Sequence, residues 1–472
     1  MTISSGTPNQ QGCNVPVVAA TAGADPVECD GSSAVKSTRS LPSCLAKPAA
    51  AFALVLASLA APAWQGVAQA AADKTQPGAG SVYAPGWSSA HADAANTDYS
   101  PVKGARELAP AWRRSFEGAI YLGATSDDSG HVYVTTNGRG CHLHALDRRT
   151  GKTVWCSREI NRDAVASSAL LDRDGHVYLA DSEAMHAFDA KGRLLWATEI
   201  VGTPLSAQFT PAGNVIFITH LGRIYVLNRA TGKPILDPVE LIPNATPHDD
   251  QQACMRGTED CPSANTLAVD LKRSRIYFTF WDKGAPRADI RAMKLVEGSR
   301  PSIRPLWRNP ALPGGSATSP DLSQDGTRVY VGDNEGGLHA LNAATGKKIW
   351  SFATGNAAGG SPSLSPTGLL MPAGGDLMAV QDLGDRPRLL WKKEGVKSRG
   401  IPTQAAGGVA YATVGKRRSN ELVVIDTATG AELDREAMPG LTAFSVGTTV
   451  GVDGMVFVSG ITGELFAFRP AR

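Results

Sequence analysis

Short runs of alternating apolar and polar residues recur along this chain, and many of them are followed by a turn signature and a second run. The clearest copies are HALDRRTGKTVW at 144–155 and HALNAATGKKIW at 339–350, with weaker copies starting at Tyr225, Val423 and His186. Alternation predicts a strand, Asp or Asn opens the turn, and Gly supplies the positive φ that a short loop needs. The phrase therefore predicts a β-hairpin whose second strand ends in Trp.

Another strand-like run precedes each hairpin, as in HVYV from His131 and RVYV from Arg328, and a short segment of small residues leads that run. Four strands in a unit of about 40–45 residues are typical of a propeller blade. The end of the hairpin falls at eight positions, which are Trp112, Trp155, Trp196, Leu236, Trp307, Trp350, Trp391 and Leu433. The spacing therefore predicts eight blades.

The first and last of these positions along the chain indicate how the ring closes. Trp112 comes before any complete blade, whereas the strands predicted at 445–452, 455–459 and 464–468 lack a fourth strand. Residues 111–116 supply it in the simplest arrangement, because closure hides both sheet edges. We predict an all-β fold over 107–472, an eight-bladed β-propeller of four-stranded antiparallel blades closed by an N-terminal strand. The Trp residues could stack on a ligand, but their shared repeat position favours packing between blades.

The repeated phrase resembles the PQQ-binding-like repeat of quinoprotein alcohol dehydrogenases and of the outer-membrane assembly lipoprotein that shares their propeller. The resemblance covers about residues 105–472. Residues 87–101 also resemble the segment that leads into the propeller of quinoprotein dehydrogenases, and we assign 71–106 as an N-terminal lead-in segment. The resemblance implies a propeller fold, with either a binding or an oxidoreductase function.

Quinoprotein dehydrogenases place a vicinal Cys-Cys disulfide over the quinone ring, and they use an Asp base and a carboxylate and amide set for Ca²⁺. This chain has no adjacent cysteines and no C-x-x-C-H haem motif, and no matching ligand set can be placed on it. We therefore expect an exported, non-catalytic binding or scaffold protein without a cofactor. The alternative is a PQQ-dependent alcohol or sugar oxidoreductase that holds PQQ and Ca²⁺.

The apolar run at 48–64 predicts export. Basic residues precede it, and Ala68-Gln69-Ala70 follows with the small-x-small pattern of a cleavage site. A transmembrane anchor is the other reading, but Pro62 breaks the run and no basic residues follow closely. We expect a signal peptide at 35–70, cleavage near Ala70, and a monomer in the periplasm or outside the cell with no membrane span in the mature chain.

Residues 1–34 are polar and Gly/Ser-rich, and they stand before the predicted signal peptide. They are either a wrongly assigned extension, with Val35 encoded by an alternative start codon, or a long leader that export tolerates. The net charge of +2 and the lack of a basic stripe with interleaved aromatics argue against a nucleic-acid partner. The partner is therefore an unknown protein, glycan or small molecule.

Cleavage near Ala70 leaves four cysteines, an even number as expected in an oxidising compartment. Cys141 and Cys156 flank one predicted hairpin symmetrically, which puts them within reach of a disulfide. Cys254 and Cys261 would then close a short loop. Four free thiols are the alternative.

One step of the repeat is longer than the others and marks an insertion at 237–265. Links between blades lie at the same end of a blade as the turns between its second and third strands. The insertion and these turns should therefore share one face, where function is commonly placed on loops. His248, Asp249 and Asp250 of the insertion could bind a metal, but such a polar loop is usually solvated and we expect no metal. The other candidate residues on this face are Asn137, Arg139, Asp181, His220, Trp281, Asp282, Asp333 and Asn334.

Overall fold

The computed structural model describes residues 81–244, 265–282, 284–416 and 419–471. They form eight antiparallel blades, so the predicted fold is confirmed. Blade 1 contains β3 (Thr125–Ser126), β4 (His131–Thr135), β5 (Leu143–Asp147) and β6 (Thr153–Ser157). Blade 2 contains β7 (Leu170–Leu171), β8 (Val177–Ala180), β9 (Ala184–Phe188) and β10 (Leu194–Glu199). Blade 3 contains β11 (Gln208–Phe209), β12 (Val215–Ile218), β13 (Arg223–Leu227) and β14 (Val239–Glu240). Blade 4 contains β15 (Ala268–Asp270), β16 (Arg275–Phe280), β17 (Ala288–Val296) and β18 (Ser302–Leu312).

The remaining blades follow the same plan. Blade 5 contains β19 (Asp321–Leu322), β20 (Arg328–Gly332), β21 (Gly337–Asn342) and β22 (Lys348–Ala353). Blade 6 contains β23 (Ser363–Leu364), β24 (Leu369–Met371), β25 (Asp376–Asp382) and β26 (Pro387–Lys397). Blade 7 contains β27 (Thr403–Ala406), β28 (Val409–Lys416), β29 (Ser419–Asp426) and β30 (Glu432–Met438), with β1 (Tyr99–Lys103) added alongside β27. Blade 8 contains β31 (Ser445–Val450), β32 (Val456–Gly460), β33 (Glu464–Pro470) and β2 (Leu108–Ser115). One short 3₁₀ helix, Arg162–Ala166, precedes blade 2.

The two middle strands of each blade form the core. All four residues of β8 are buried, as are four of the five residues of β9, because neighbouring blades cover both faces of the sheet. The outer strand β10 alternates exposed and half-buried residues instead. This burial pattern explains why the middle strands read as continuous apolar runs in the sequence. None of the helices among the described residues is long and apolar enough to span a membrane.

The tryptophans at the ends of the hairpins join neighbouring blades. The indole N–H of Trp112 donates to the carbonyl of Arg148, 2.9 Å away. A Cβ added to Gly151 would lie 2.7 Å from the ring of Trp112, so glycine at the turn lets the ring lie against the next blade. The predicted packing role is confirmed by the same contact in four further pairs: Trp155 with Gly192, Trp196 with Gly232, Trp307 with Gly346, and Trp391 with Gly430.

The strand Leu108–Ser115 is the outermost strand of blade 8. It pairs antiparallel with Glu464–Pro470, in a register that sets Ala109 opposite Arg469 and Arg114 opposite Leu465. Trp112 lies on this strand and contacts blade 1, so a single strand completes the last blade and attaches it to the first.

Blade 3 departs from the repeat. Its outer strand, Val239–Glu240, has two residues and lies inside the range predicted for the insertion, which therefore starts later than 237. The sequence did not mark this strand, because Leu236 stands where six of the other blades have Trp, and Pro234 and Pro238 interrupt the run.

Candidate functional site

Turns between second and third strands lie against links between blades, as the topology predicted. The Ala119 amide, in the link into blade 1, donates to Asn137 Oδ1 at 2.7 Å. The Asn161 amide, in the link into blade 2, donates to Asp181 Oδ2 at 2.9 Å. Backbone hydrogen bonds of 3.0 Å join His220 to Thr203 and Asn334 to Gly315 in the same way. We call this end of the ring the loop face.

Several residues predicted to form a binding surface here are buried and make contacts within the fold. Asp181, His220, Trp281 and Asp333 are all buried. Trp281 packs into the apolar core between blades 4 and 5, and its indole N–H donates to the carbonyl of Ala285 at 2.9 Å. A loop carboxylate that caps nearby backbone N–H groups has the same residue type as one that awaits a ligand, so the sequence could not separate these roles.

Asp333 illustrates this structural role. Its Oδ2 lies 2.7 Å from His339 Nε2, and its Oδ1 accepts from the Gly337 amide at 2.7 Å. Burial alone would raise the pKa of Asp333, but these hydrogen bonds lower it below its ordinary value. Asp282 is likewise engaged, because Arg291 and Arg308 lie 2.6 and 3.1 Å from it.

Two of the predicted residues do border a cavity. Asn137 and Arg139 line a space of about 700 Å³ together with Glu117, His142 and Arg162. The Arg139 side chain is 94% exposed and lies 3.6 Å from Glu117, so its charge faces solvent. His248, Asp249, Asp250 and the Cys254–Cys261 pair lie outside the described residues.

The Cys141–Cys156 disulfide is present, with a Cα–Cα distance of 5.8 Å. Cys141 lies in the turn before β5, and Cys156 lies on β6, the outer strand of blade 1. The bond therefore joins the loop that carries Arg139 to the outer edge of the same blade, and that part of the disulfide prediction is confirmed.

The opposite end of the ring carries the turns between first and second strands, and we call it the turn face. Residues 81–103 of the lead-in segment cross this face beside the inner strands of the blades. The carbonyls of Ala94, Ala95, Thr97 and Asp98 accept the amides of Val269, Leu322, Leu364 and Gln404, which belong to blades 4, 5, 6 and 7 in order. Strand β1 then runs parallel to β27. One segment thus ties together the centres of successive blades.

Buried polar side chains hold the lead-in segment in place. The side-chain amide of Asn96 donates through Nδ2 to the backbone carbonyls of Thr266 and Pro320, both at 3.1 Å. The side-chain amide of Gln208 donates through Nε2 to Asn96 Oδ1 at 2.8 Å. Because Asn96 is fully buried, each of these bonds satisfies a group that would otherwise be costly to bury.

A hydrogen-bonded series of serine, histidine and aspartate, as in a hydrolytic triad, is formed by Ser319, His91 and Asp98. His91 Nδ1 lies 2.8 Å from Asp98 Oδ2, and His91 Nε2 lies 2.9 Å from Ser319 Oγ. However, Ser319 is buried, and its Oγ also accepts the amide of Thr266 at 3.1 Å. A nucleophile must be accessible to its substrate. We therefore interpret these hydrogen bonds as a structural link between the lead-in segment and blade 5.

A cavity of about 960 Å³ opens on the turn face, and we call it the turn-face groove. The lead-in segment forms its floor, with residues 81–83 and 92–95. The first turns of blades 2 to 6 form its walls, with Arg173 and Asp174, residues 211–213, residues 271–273, residues 322–324, and Ser365 with Pro366.

The carboxylates of the groove all have protein partners. Asp93 accepts the Ala95 amide and the Thr97 amide and hydroxyl at 2.7–3.2 Å. Asp174 lies 3.2 Å from Arg229, and Asp270 lies 3.1 Å from Arg273. Burial raises the pKa of Asp93, and its hydrogen bonds offset this only in part. Each carboxylate that lines the groove is therefore already held by a hydrogen bond or an ion pair within the protein.

A family model described as outer membrane protein assembly factor BamB matches residues 105–238 and 299–472. The chain belongs to this family. The residues between the two matched stretches, 239–298, contain the insertion and most of blade 4.

The BamB-family assignment agrees with similarity to individual proteins. Protein Rv3035 of Mycobacterium tuberculosis (strain ATCC 25618 / H37Rv) is 30% identical over 402 residues, covering 82% of this chain and 96% of that protein. A quinohemoprotein alcohol dehydrogenase from Comamonas testosteroni superposes with a TM-score of 0.59 at 17% identity, covering 82% of this chain and 81% of that one. BamB from Moraxella catarrhalis superposes with a TM-score of 0.53 at 17% identity, covering 77% and 99%. At this identity the two structures show the shared fold alone.

The vicinal disulfide that lies over the quinone in the dehydrogenases has no counterpart among the described residues of this BamB-family chain. The Cys141–Cys156 disulfide lies at the outer edge of blade 1, so it cannot cover a ring on the axis. Near the axis, Asp98 is engaged by His91. We therefore derive no chemical step through a quinone.

Asp172, Asp174 and His176 have ligand atoms within 4.8 Å of one another, as a metal site would require. The guanidinium of Arg229 already lies 2.8 Å from Asp172 and 3.2 Å from Asp174. The first turn of blade 1 has the same hydrogen bonds, with Asp127, His131 and Tyr133. The cluster around Asp172 is therefore part of the blade repeat. We assign no metal to it.

Asp321 is the least satisfied group near the axis. It is fully buried, and neither carboxyl oxygen has a hydrogen-bond partner within the described ranges. Burial raises its pKa well above the ordinary value, and the nearby charges of Asp98 and Asp93 raise it further. The folded protein therefore binds a proton here that the unfolded chain releases above about pH 4.

We expect Asp321→Asn to change how stability depends on pH. Because the pKa is raised on folding, the wild-type protein loses stability as the pH rises from about 4 through the folded pKa. The variant has no titrating group there, so it should be about 1–2 kcal/mol more stable at neutral pH. Urea unfolding between pH 4 and 8 measures this, with the exposed-turn variant Asp128→Asn as control. Parallel pH profiles for wild type and Asp321→Asn would contradict the assignment.

Proposed function

We propose that this BamB-family protein is an exported, non-catalytic binding protein that holds its partner through one face of the ring. The turn-face groove carries this proposal, because about 960 Å³ lies within the range of ligand sites. A general acid or base needs an atom that can exchange a proton with the substrate. Asp93, Asp174 and Asp270 instead hold partners of the protein itself, which favours binding over catalysis.

The loop face is the second candidate surface for the same function. The sequence predicts that the insertion lies on this face, and long loops on a regular scaffold are usually functional. Asn137 and Arg139 border its cavity, which supports their predicted role. Asp181, His220, Trp281 and Asp333 would act there by holding the loops in shape, because they are buried.

A retention experiment distinguishes the two surfaces. Ala212 is exposed in the groove wall, so Ala212→Trp should fill the groove without disturbing the blade. Ala428→Trp, in an exposed turn of blade 7 outside the groove, is the matched control. A third variant replaces residues 245–264 with a short Gly/Ser turn and leaves strand Val239–Glu240 intact.

Each variant is immobilised and exposed to the exported fraction of the source cells, and retained molecules are identified by mass spectrometry. We expect Ala212→Trp to lose the molecule that wild type retains, and the control and the insertion variant to keep it. Loss in the insertion variant alone would move the site to the loop face and contradict the groove assignment.

A quinone-dependent alcohol or sugar oxidoreductase is the competing function, because proteins of this fold include dehydrogenases. We expect the purified protein to show no new absorbance after addition of PQQ and Ca²⁺, and no oxidation of alcohols or sugars by an artificial electron acceptor. A stoichiometric quinone band with alcohol-dependent reduction would overturn the binding proposal.

A further inference from the structure

We propose that the ligand of the turn-face groove is a small organic acid with an apolar body, recognised by Arg173 and Lys272. This inference rests on the proposed function, since it names the chemical class that the same groove accepts. Three features of the groove carry it: the balance of charge, the apolar lining, and the placement of the two cations.

The charge balance of the groove is positive. Arg229 is paired with Asp172 and Asp174, and Arg273 is paired with Asp270. Arg173 and Lys272 are exposed on the walls, and within the described parts of the chain neither side chain has an ion pair or hydrogen bond. Among the lining residues four cations face three carboxylates, and Arg173 and Lys272 are the two cations without an ion pair to a described residue. An unpaired cation on the wall of a cleft attracts ligands of the opposite charge.

Apolar residues line the groove together with these charges. Ala92 and Ala94 form part of the floor, and Pro211 and Pro366 form part of the walls. Leu271, directly before Lys272, is 38% exposed and adds an apolar side chain to the same wall. An apolar surface beside a cation suits a molecule that has an apolar body and an acidic end.

The two cations lie on walls that belong to different blades. Arg173 is in the first turn of blade 2, and Lys272 is in the first turn of blade 4, with the wall of blade 3 between them. Neither side chain forms a hydrogen bond or ion pair with its own turn among the described residues. Both charges are therefore available to a ligand in the groove.

Two dyes with nearly the same apolar body test the charge preference. 8-Anilinonaphthalene-1-sulfonate is anionic, and N-phenyl-1-naphthylamine is its neutral counterpart. Fluorescence titration is carried out on folded wild type, on the groove-filling variant Ala212→Trp, and on the double variant Arg173→Gln/Lys272→Gln. The control is Arg149→Gln/Lys347→Gln, which removes the same charge from exposed turns outside the groove. Circular dichroism confirms that each variant is folded.

We expect the anionic dye to bind wild type more tightly than the neutral dye, with an affinity that falls as salt rises. The groove double variant should weaken the anionic dye about tenfold and leave the neutral dye unchanged, whereas the control should change neither. Ala212→Trp should weaken both dyes.

The outcomes separate the two proposals. If Ala212→Trp affects neither dye, the groove is not a ligand site, and both the organic-acid assignment and the placement of the proposed function in the groove fail. If Ala212→Trp weakens both dyes but the anionic dye is insensitive to Arg173→Gln/Lys272→Gln, the groove binds ligands and the organic-acid assignment is wrong.

Discussion

A chain that lacks residues 107–116 is expected to lose the cooperative unfolding transition of the wild-type protein. Without this segment, strand Glu464–Pro470 has an unpaired edge, and Leu108 and Trp112 no longer pack in blade 8 or against blade 1. The lost contacts are comparable with the whole stability of a typical domain, about 5–15 kcal/mol. Urea denaturation followed by circular dichroism measures the effect.

Point variants at Trp112 separate strand pairing from the contact with blade 1. Trp112 is half-buried, so Trp112→Ala should cost about 2–4 kcal/mol, below the full range for buried tryptophans. Trp112→Phe keeps a ring but loses the hydrogen bond to the Arg148 carbonyl, and should cost about 1 kcal/mol. A deletion variant as stable as wild type would show that the ring closes by another route.

Gly192→Ala is expected to destabilise the protein by about 3 kcal/mol. The φ of Gly192 is +78°, a conformation that costs an L-residue about 1 kcal/mol. A Cβ there would also lie 2.5 Å from the ring of Trp155, so the ring must move away from the turn on which it packs. The remaining cost comes from this lost contact between blades 1 and 2.

Gly355→Ala provides the matched control. Its φ is +80°, close to that of Gly192, but no atom lies within 4 Å of the added Cβ. This variant should lose about 1 kcal/mol, the backbone cost alone. The difference between the two variants, measured by thermal and urea unfolding, isolates the contact between glycine and tryptophan. Equal losses would mean that the tryptophan ring adjusts freely.

The repeat was readable from the sequence because the middle strands of a blade are covered on both faces. Continuous apolar runs such as Val177–Ala180, followed by a turn with glycine and a terminal tryptophan, recur at one spacing. Blade 3 was located only approximately, because Leu236 replaces the tryptophan and its outer strand has two residues. The pattern therefore predicted the architecture and was least accurate where the packing signature is missing.

The candidate site was harder to predict, because the role of a polar side chain depends on contacts distant in sequence. Asp181 and Asp333 read as surface carboxylates, but Asp181 accepts the backbone amide of Asn161 in the link into blade 2, and Asp333 accepts the backbone amide of Gly337 at the end of its own turn. Asp321 read as part of a small-residue strand, and its isolation arises only when the lead-in segment crosses above it. The turn-face groove depends on the same crossing, since the lead-in segment is its floor.

The pairing of Leu108–Ser115 with Glu464–Pro470 also constrains how the protein is made. The first of these strands leaves the ribosome long before its partner, so the eighth blade cannot form until the chain has been synthesised through Pro470. Contacts between such distant segments form slowly. A chain cut short before residue 464 keeps an open ring with an unpaired strand at each end, which marks it for aggregation or proteolysis. The closing strand thus makes native stability depend on synthesis through Pro470.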